Sequence, residues 1–147
     1  MIKHLPKKIA RGFTLIEIMV VVIILGLLAS VVVPAVIDSL GVAEVKKVRA
    51  DMNSLQTALK MYRMQNFTYP TTEQGLEALI EKPSLAPVPK NWKNGGYVEK
   101  LSKDPWGNDY QYVAPGEGGR EYDIMSLGAD GISGGEDNNA DLSVWDE

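Results

Sequence analysis

The sequence predicts an α+β chain: one long N-terminal helix, hydrophobic and then amphipathic, packed on a small antiparallel β-sheet. Three observations predict it. Residues 18–37 carry no charge, and only Gly26, Ser30 and Pro34 interrupt their aliphatic run. Val42, Val45, Val48, Met52, Leu55, Leu59 and Tyr62 then follow at spacings of three and four, which puts them on one helical stripe. Two alternating segments flank the turn-rich Pro115-Gly116-Glu117-Gly118-Gly119, the pattern of a hairpin.

The first element begins with charge. Lys3, Lys7, Lys8 and Arg11 precede Gly12 with no acid among them. The uncharged run after them is long enough to cross a hydrocarbon core of roughly 30 Å. Positive flanks stay on the cytoplasmic side, so the N-terminus is expected inside and the rest of the chain outside. Glu17 sits at the mouth of the apolar run, where a carboxylate is costly without a partner. The order of basic segment, glycine and apolar segment differs from a secretory signal, which places its cleavage site after the apolar stretch. A cut after Gly12 would remove the charges and keep the helix.

The amphipathic half is expected to end near Asn66. Pro34 lies inside the helix, lacks an N–H and clashes with the preceding turn, so a kink or local melting is expected there. Beyond Pro70, Thr71 or Thr72 is expected to cap a second helix with Leu76, Leu79 and Ile80 on its buried face, ending at Lys82-Pro83. Residues 83–96 read as a surface loop, and residues 105–108 as a turn. Strands are expected over residues 109–113 and 121–127.

Removing the four leader charges takes the net charge from −4 to −8, and no Lys or Arg follows Arg120. That excludes nucleic acid as a partner of the exported part and makes a cation the natural ligand of the C-terminal segment. There is no cysteine, and the single histidine, His4, lies in the leader. Disulfides, cysteine or histidine zinc sites and histidine-dependent catalysis therefore have no material. Residues 126–141 are dense in glycine and in Asp, Asn, Glu and Ser, the oxygen donors calcium takes six to eight at a time. Their spacing is not that of an EF-hand.

The string Gly12-Phe13-Thr14-Leu15-Ile16-Glu17, with basic residues before it and an apolar run after it, resembles the signal of type IV pilins and type II secretion pseudopilins. Residues 69–76, 104–112 and 126–131 resemble the major pseudopilins. The resemblance implies a pilin-like fold: a long N-terminal helix on a small antiparallel sheet with a calcium-binding C-terminal loop. It implies a leader over residues 1–12, a transmembrane and polymerisation helix over 13–37, and a periplasmic globular domain over 38–147. Cleavage after Gly12 by a prepilin peptidase and methylation of the Phe13 amine follow from it. So does a role for Glu17 in pairing with that amine, on its own or a neighbouring subunit. Pro34 would help the helix unwind in the fibre. The calcium ligands implied are the backbone carbonyl of Leu127 and the side chains of Asp130 and Asp137, with Ser133 and Asn139 as weaker candidates and Asp141 bracing the loop. The implied partners are the inner membrane before assembly, further copies of the chain in a helical fibre, minor pseudopilins and the inner-membrane assembly platform. The function implied is a structural, non-enzymatic one in protein secretion. The rivals are a type IV pilus subunit for adhesion, motility or DNA uptake, and a membrane-anchored hydrolase with a carboxylate metal centre.

Overall fold

The computed structural model describes residues 12–146. Helix α1 runs over Leu15–Asn66, and the chain divides into two compact units between Leu40 and Gly41.

In the first unit, Leu15–Val33 has a mean hydropathy of 3.0, and none of it is buried. Its polar groups are satisfied internally: the Ser30 hydroxyl donates to the Leu27 carbonyl at 2.7 Å, as an apolar surrounding requires. Helix α1 continues through Pro34, so of the kink or local melting expected there the chain shows no melting. Proline removes only the one bond from its own position to the Ser30 carbonyl, and the turns on either side hold.

In the second unit the expected stripe forms the core. Val48, Met52, Leu55, Leu59 and Tyr62 are buried, joined by Ala58. Val45 is half-buried and Val42 is 56% exposed, so the stripe lies in the core only from Val48 onward. Leu76, Ala78, Leu79, Tyr110, Tyr112, Tyr122 and Ile124 complete the cluster.

The second helix expected after Pro70 is only a 3-10 turn, Leu76–Leu79. The cap exists: Thr71 N–H donates to Gln74 Oε1 at 3.1 Å, and Gln74 N–H to Thr71 Oγ1 at 3.3 Å. Gly75 then takes φ 61°, a left-handed conformation that ends a helix rather than propagating it. The buried Gln74 amide instead donates to the carbonyls of Leu85 and Pro87, pinning the proline-rich loop.

The sheet has three strands in the order β1-β2-β3. Strand β1 (Gln111–Val113) pairs antiparallel with β2 (Asp123–Ser126), with Tyr112 opposite Ile124. The connection contains a 3-10 turn, Glu117–Gly119, whose Glu117 N–H donates to Asp123 Oδ2 at 2.7 Å. Strand β3 (Leu142–Ser143) pairs antiparallel with the other edge of β2. At two residues it offers no alternation to read. The central β2 is buried at three of its four positions.

Aromatic rings fill this core. Tyr122 meets Tyr69 edge-on at 4.8 Å, Tyr112 at 6.3 Å and Trp145 at 5.4 Å between centroids. Tyr110 donates to Asp51 at 2.9 Å, and Tyr112 to the Pro70 carbonyl at 2.9 Å. Burial pushes the phenols of Tyr110 and Tyr112 well above the usual tyrosine range, helped at Tyr110 by its bond to Asp51. Burial also pushes Tyr122 up to about 12. A folded-state pKa above the unfolded value favours the protonated native form. The resulting stability is therefore complete below the unfolded tyrosine pKa of about 10 and is lost as pH rises beyond it. Melting temperature is expected to hold up to about pH 9 and to fall between about pH 10 and 12. The tyrosinate absorbance contributed by Tyr110, Tyr112 and Tyr122 should rise with unfolding rather than before it.

Candidate functional site

Two regions carry the residues singled out in the sequence. At the start of α1, Gly12 and Phe13 are exposed, Phe13 by 81%. Among the described residues, chain neighbours aside, no atom lies within 4 Å of where a Gly12 side chain would begin. Leader residues 1–11 lie outside the described residues. Glu17 closes a capping box with Thr14: Thr14 N–H donates to Glu17 Oε2 at 3.4 Å, and Glu17 N–H to Thr14 Oγ1 at 3.3 Å. This arrangement satisfies helix-start donors reciprocally and holds the carboxylate at the positive end of the helix dipole. In the uncleaved chain the Phe13 nitrogen is a peptide, so the partner of Glu17 is the start of its own helix. Pro34 lies in helical backbone of the same unit.

The second region is the 127–141 loop. Leu127 leaves β2 half-buried, while Asp130, Ser133, Asp137 and Asn139 are exposed along the loop. Asp130 Oδ1 accepts from Ile132 N–H at 3.0 Å. Asp137 takes φ 54° and opens a 3-10 turn, Asp137–Asn139. The far limb folds back on the near one. A Cβ on Gly128 would meet the Asn139 carbonyl oxygen at 2.7 Å, and one on Gly135 would meet it at 2.4 Å. Both glycines have positive φ, so each is required twice over. Ala129 N–H donates to the Asn138 carbonyl at 2.9 Å across the loop.

Asp141 braces the structure. Its Oδ2 accepts from Ser133 Oγ at 3.2 Å and Gly134 N–H at 2.9 Å, while its Oδ1 is buried with no hydrogen-bond partner among the described residues. Ser133 thus meets Asp141. Among the described residues, no three acidic or histidine side chains converge as a metal cluster. Any ion here would draw part of its shell from backbone carbonyl, amide or hydroxyl oxygens.

The sequence marks residues 105–108 as a turn within a stretch, 104–112, that resembles the major pseudopilins, and assigns it no part in the loop. In the structure this turn supports the loop. The buried Asp104 accepts from Trp106 N–H at 3.1 Å and Asn108 N–H at 2.7 Å through Oδ1, and from Ser126 Oγ at 2.8 Å through Oδ2. Asn108 Nδ2 donates to the Gly128 carbonyl at 3.0 Å. An Asp directly before Pro-Trp-Gly-Asn was the available signal, since such side chains bond to backbone N–H groups just ahead of them.

Comparison with known proteins matches these features. A profile described as Type II secretion system (T2SS), protein G matches residues 35–145, and one described as Prokaryotic N-terminal methylation motif matches residues 7–33. The type II secretion system core protein G of Pseudomonas aeruginosa is 56% identical over 135 residues, covering 92% of this chain and 94% of that protein. The protein of the same name from Vibrio cholerae is 53% identical, covering 91% and 90%. The crystal structure of the major pseudopilin from the type 2 secretion system of enterohaemorrhagic Escherichia coli superposes with a TM-score of 0.63 at 46% identity, over 70% of this chain and 87% of that one. The long helix and small antiparallel sheet are those of that structure, and residues 69–76, 104–112 and 126–131, which resemble the major pseudopilins, lie within the protein G match, while residues 12–17 lie within the methylation motif. This chain belongs to the type II secretion system protein G family.

Proposed function

We propose that the chain is the structural subunit of a type II secretion pseudopilus, made as a membrane-inserted precursor and polymerised after its leader is removed. One observation carries the reading furthest: Leu15–Val33, with Glu17 as its single charge, has a mean hydropathy of 3.0 and is exposed along its length, directly after the exposed Gly12 and Phe13. Such a segment is at home in lipid, and outside lipid only among apolar neighbours. Burying each Leu, Ile or Val side chain is worth about 1.5–3 kcal/mol, so leaving the bilayer is favourable only as other copies take the place of lipid.

Lys3, Lys7, Lys8 and Arg11 keep the N-terminus cytoplasmic, and the Gly41–Glu147 unit lies in the periplasm. A prepilin peptidase hydrolyses the Gly12–Phe13 bond and the freed Phe13 amine is methylated. Glu17 exchanges its helix-start contacts for that amine, on its own chain or the next, which neutralises two charges that would otherwise enter an apolar fibre. Pro34 marks where the helix gives way in the fibre. Minor pseudopilins and the inner-membrane platform are the remaining partners, and the role is structural rather than enzymatic. Family membership favours secretion over the type IV pilus.

The 127–141 loop fits a calcium ion. It folds its two limbs together through glycine, and it leaves a carboxylate oxygen of Asp141 buried with no partner among the described residues. Its donors are all oxygen, the hard ligands calcium requires. The Leu127 carbonyl and the side chains of Asp130, Ser133, Asp137 and Asn139 would hold the ion, with Asp141 bracing them. Bound there, calcium supplies positive charge and a cross-link in place of a disulfide.

Intact-mass analysis of the chain produced beside a prepilin peptidase tests the reading. The expected product begins at Phe13, carries one methyl group and forms fibres visible by electron microscopy. A product that keeps residues 1–12 and stays monomeric overturns it.

A further inference from the structure

We propose that Asn108 is a positioning residue for the ion in the 127–141 loop, fixing a backbone peptide that ties the loop's two limbs together. The inference rests on the calcium reading above. The Gly128–Ala129 peptide is held at both ends. Its carbonyl accepts from Asn108 Nδ2 at 3.0 Å, and its N–H donates to the Asn138 carbonyl at 2.9 Å. Leu127 and Asp130 flank this peptide on the near limb. Asp137 and Asn139 flank Asn138 on the far limb. One peptide plane therefore sets the separation and orientation of both groups of candidate donors.

Asn108 can do this because it is itself anchored. Its N–H donates to the Asp104 carboxylate at 2.7 Å, and its carbonyl accepts from Asp104 N–H at 3.0 Å. Asp104, 4% exposed, is tied in turn to Ser126 at the end of β2. The Asn108 side chain also fills the first turn of the loop, since a Cβ on Gly131 would stand 3.4 Å from its Oδ1. A rigid sheet end is thus relayed through Asp104 and Asn108 to the loop. Groups that orient ligands without touching the ion typically change affinity by about 10–100-fold when removed.

The test titrates calcium chloride into the full chain in detergent micelles by calorimetry, for wild type and Asn108→Ala, with melting curves of both in EDTA. The expected result is binding by wild type, a Kd weakened by about tenfold or more in the variant, and equal melting temperatures in EDTA. Wild-type binding with an unchanged variant Kd overturns the role of Asn108 alone. A variant that melts as far below wild type in EDTA as in calcium also overturns it, because the residue then acts on the fold and not on the ion. No uptake by wild type overturns the calcium reading and this inference with it.

Discussion

Tyr122→Ala is expected to lower the unfolding free energy by about 3–5 kcal/mol, the range for truncating a buried aromatic residue. Tyr122 is 2% exposed, and three further rings surround it, those of Tyr69, Tyr112 and Trp145. Each ring pair contributes about 0.5–1.5 kcal/mol beyond its buried area. The neighbours cannot collapse into the gap. Tyr112 is pinned through its hydroxyl to the Pro70 carbonyl, and Trp145 through its indole N–H to the Tyr122 carbonyl. Single domains have about 5–15 kcal/mol in total, so the variant sits near its unfolding threshold. Denaturant unfolding of the full chain in micelles measures it, with Val113→Ala as the comparison, because Val113 lies on the exposed face of edge strand β1. Equal losses at the two positions would show that the aromatic cluster is not the centre of the core.

Removing calcium is expected to lower the melting temperature by roughly 10–20 °C. An ion held at about a hundredfold its Kd stabilises by about 2.7 kcal/mol, and each kcal/mol is worth about 4–8 °C in a unit of about 100 residues. The physical cause is charge. Asp130, Glu136, Asp137, Asp141 and Asp146 follow one another with no Lys or Arg among them. Without a cation they repel across a loop whose limbs touch at Gly128 and Asn139. The loss should be restored by calcium and not by magnesium, which demands a tighter octahedral shell. Melting curves of the full chain in micelles, in EDTA and after each metal is added back, decide it. A curve unmoved by EDTA sinks the calcium reading.

What could be read from residues alone followed the periodicities. The stripe from Val48 to Tyr62 is long enough to fix both helix type and buried face. The hairpin of two strands likewise follows from alternation about a glycine-rich turn, but its register, Tyr112 opposite Ile124, does not. Prediction failed where one residue overrides a local pattern. Thr71 and Gln74 cap a helix that Gly75 then cancels. Val42 keeps the helical spacing but lies before the part of α1 that meets the core. Strand β3 is defined by its bonds to β2 and not by its own two residues. In the loop, the oxygen-rich composition was visible, but the support from Asn108 was not. A side chain that bonds to a carbonyl twenty residues away leaves no periodic trace.

The bonds made by β3 and by Trp145 set an order of events. The partners of β2's second edge, and the indole that covers Tyr122, come from residues 142–146. A chain emerging from a ribosome or a translocon delivers those residues after β1, β2 and Tyr122. Until then Tyr122 lacks its cover and β2 keeps a bare flank. The unit that begins at Gly41 should therefore remain sensitive to proteases until residues 142–146 have been made and become resistant abruptly once they dock.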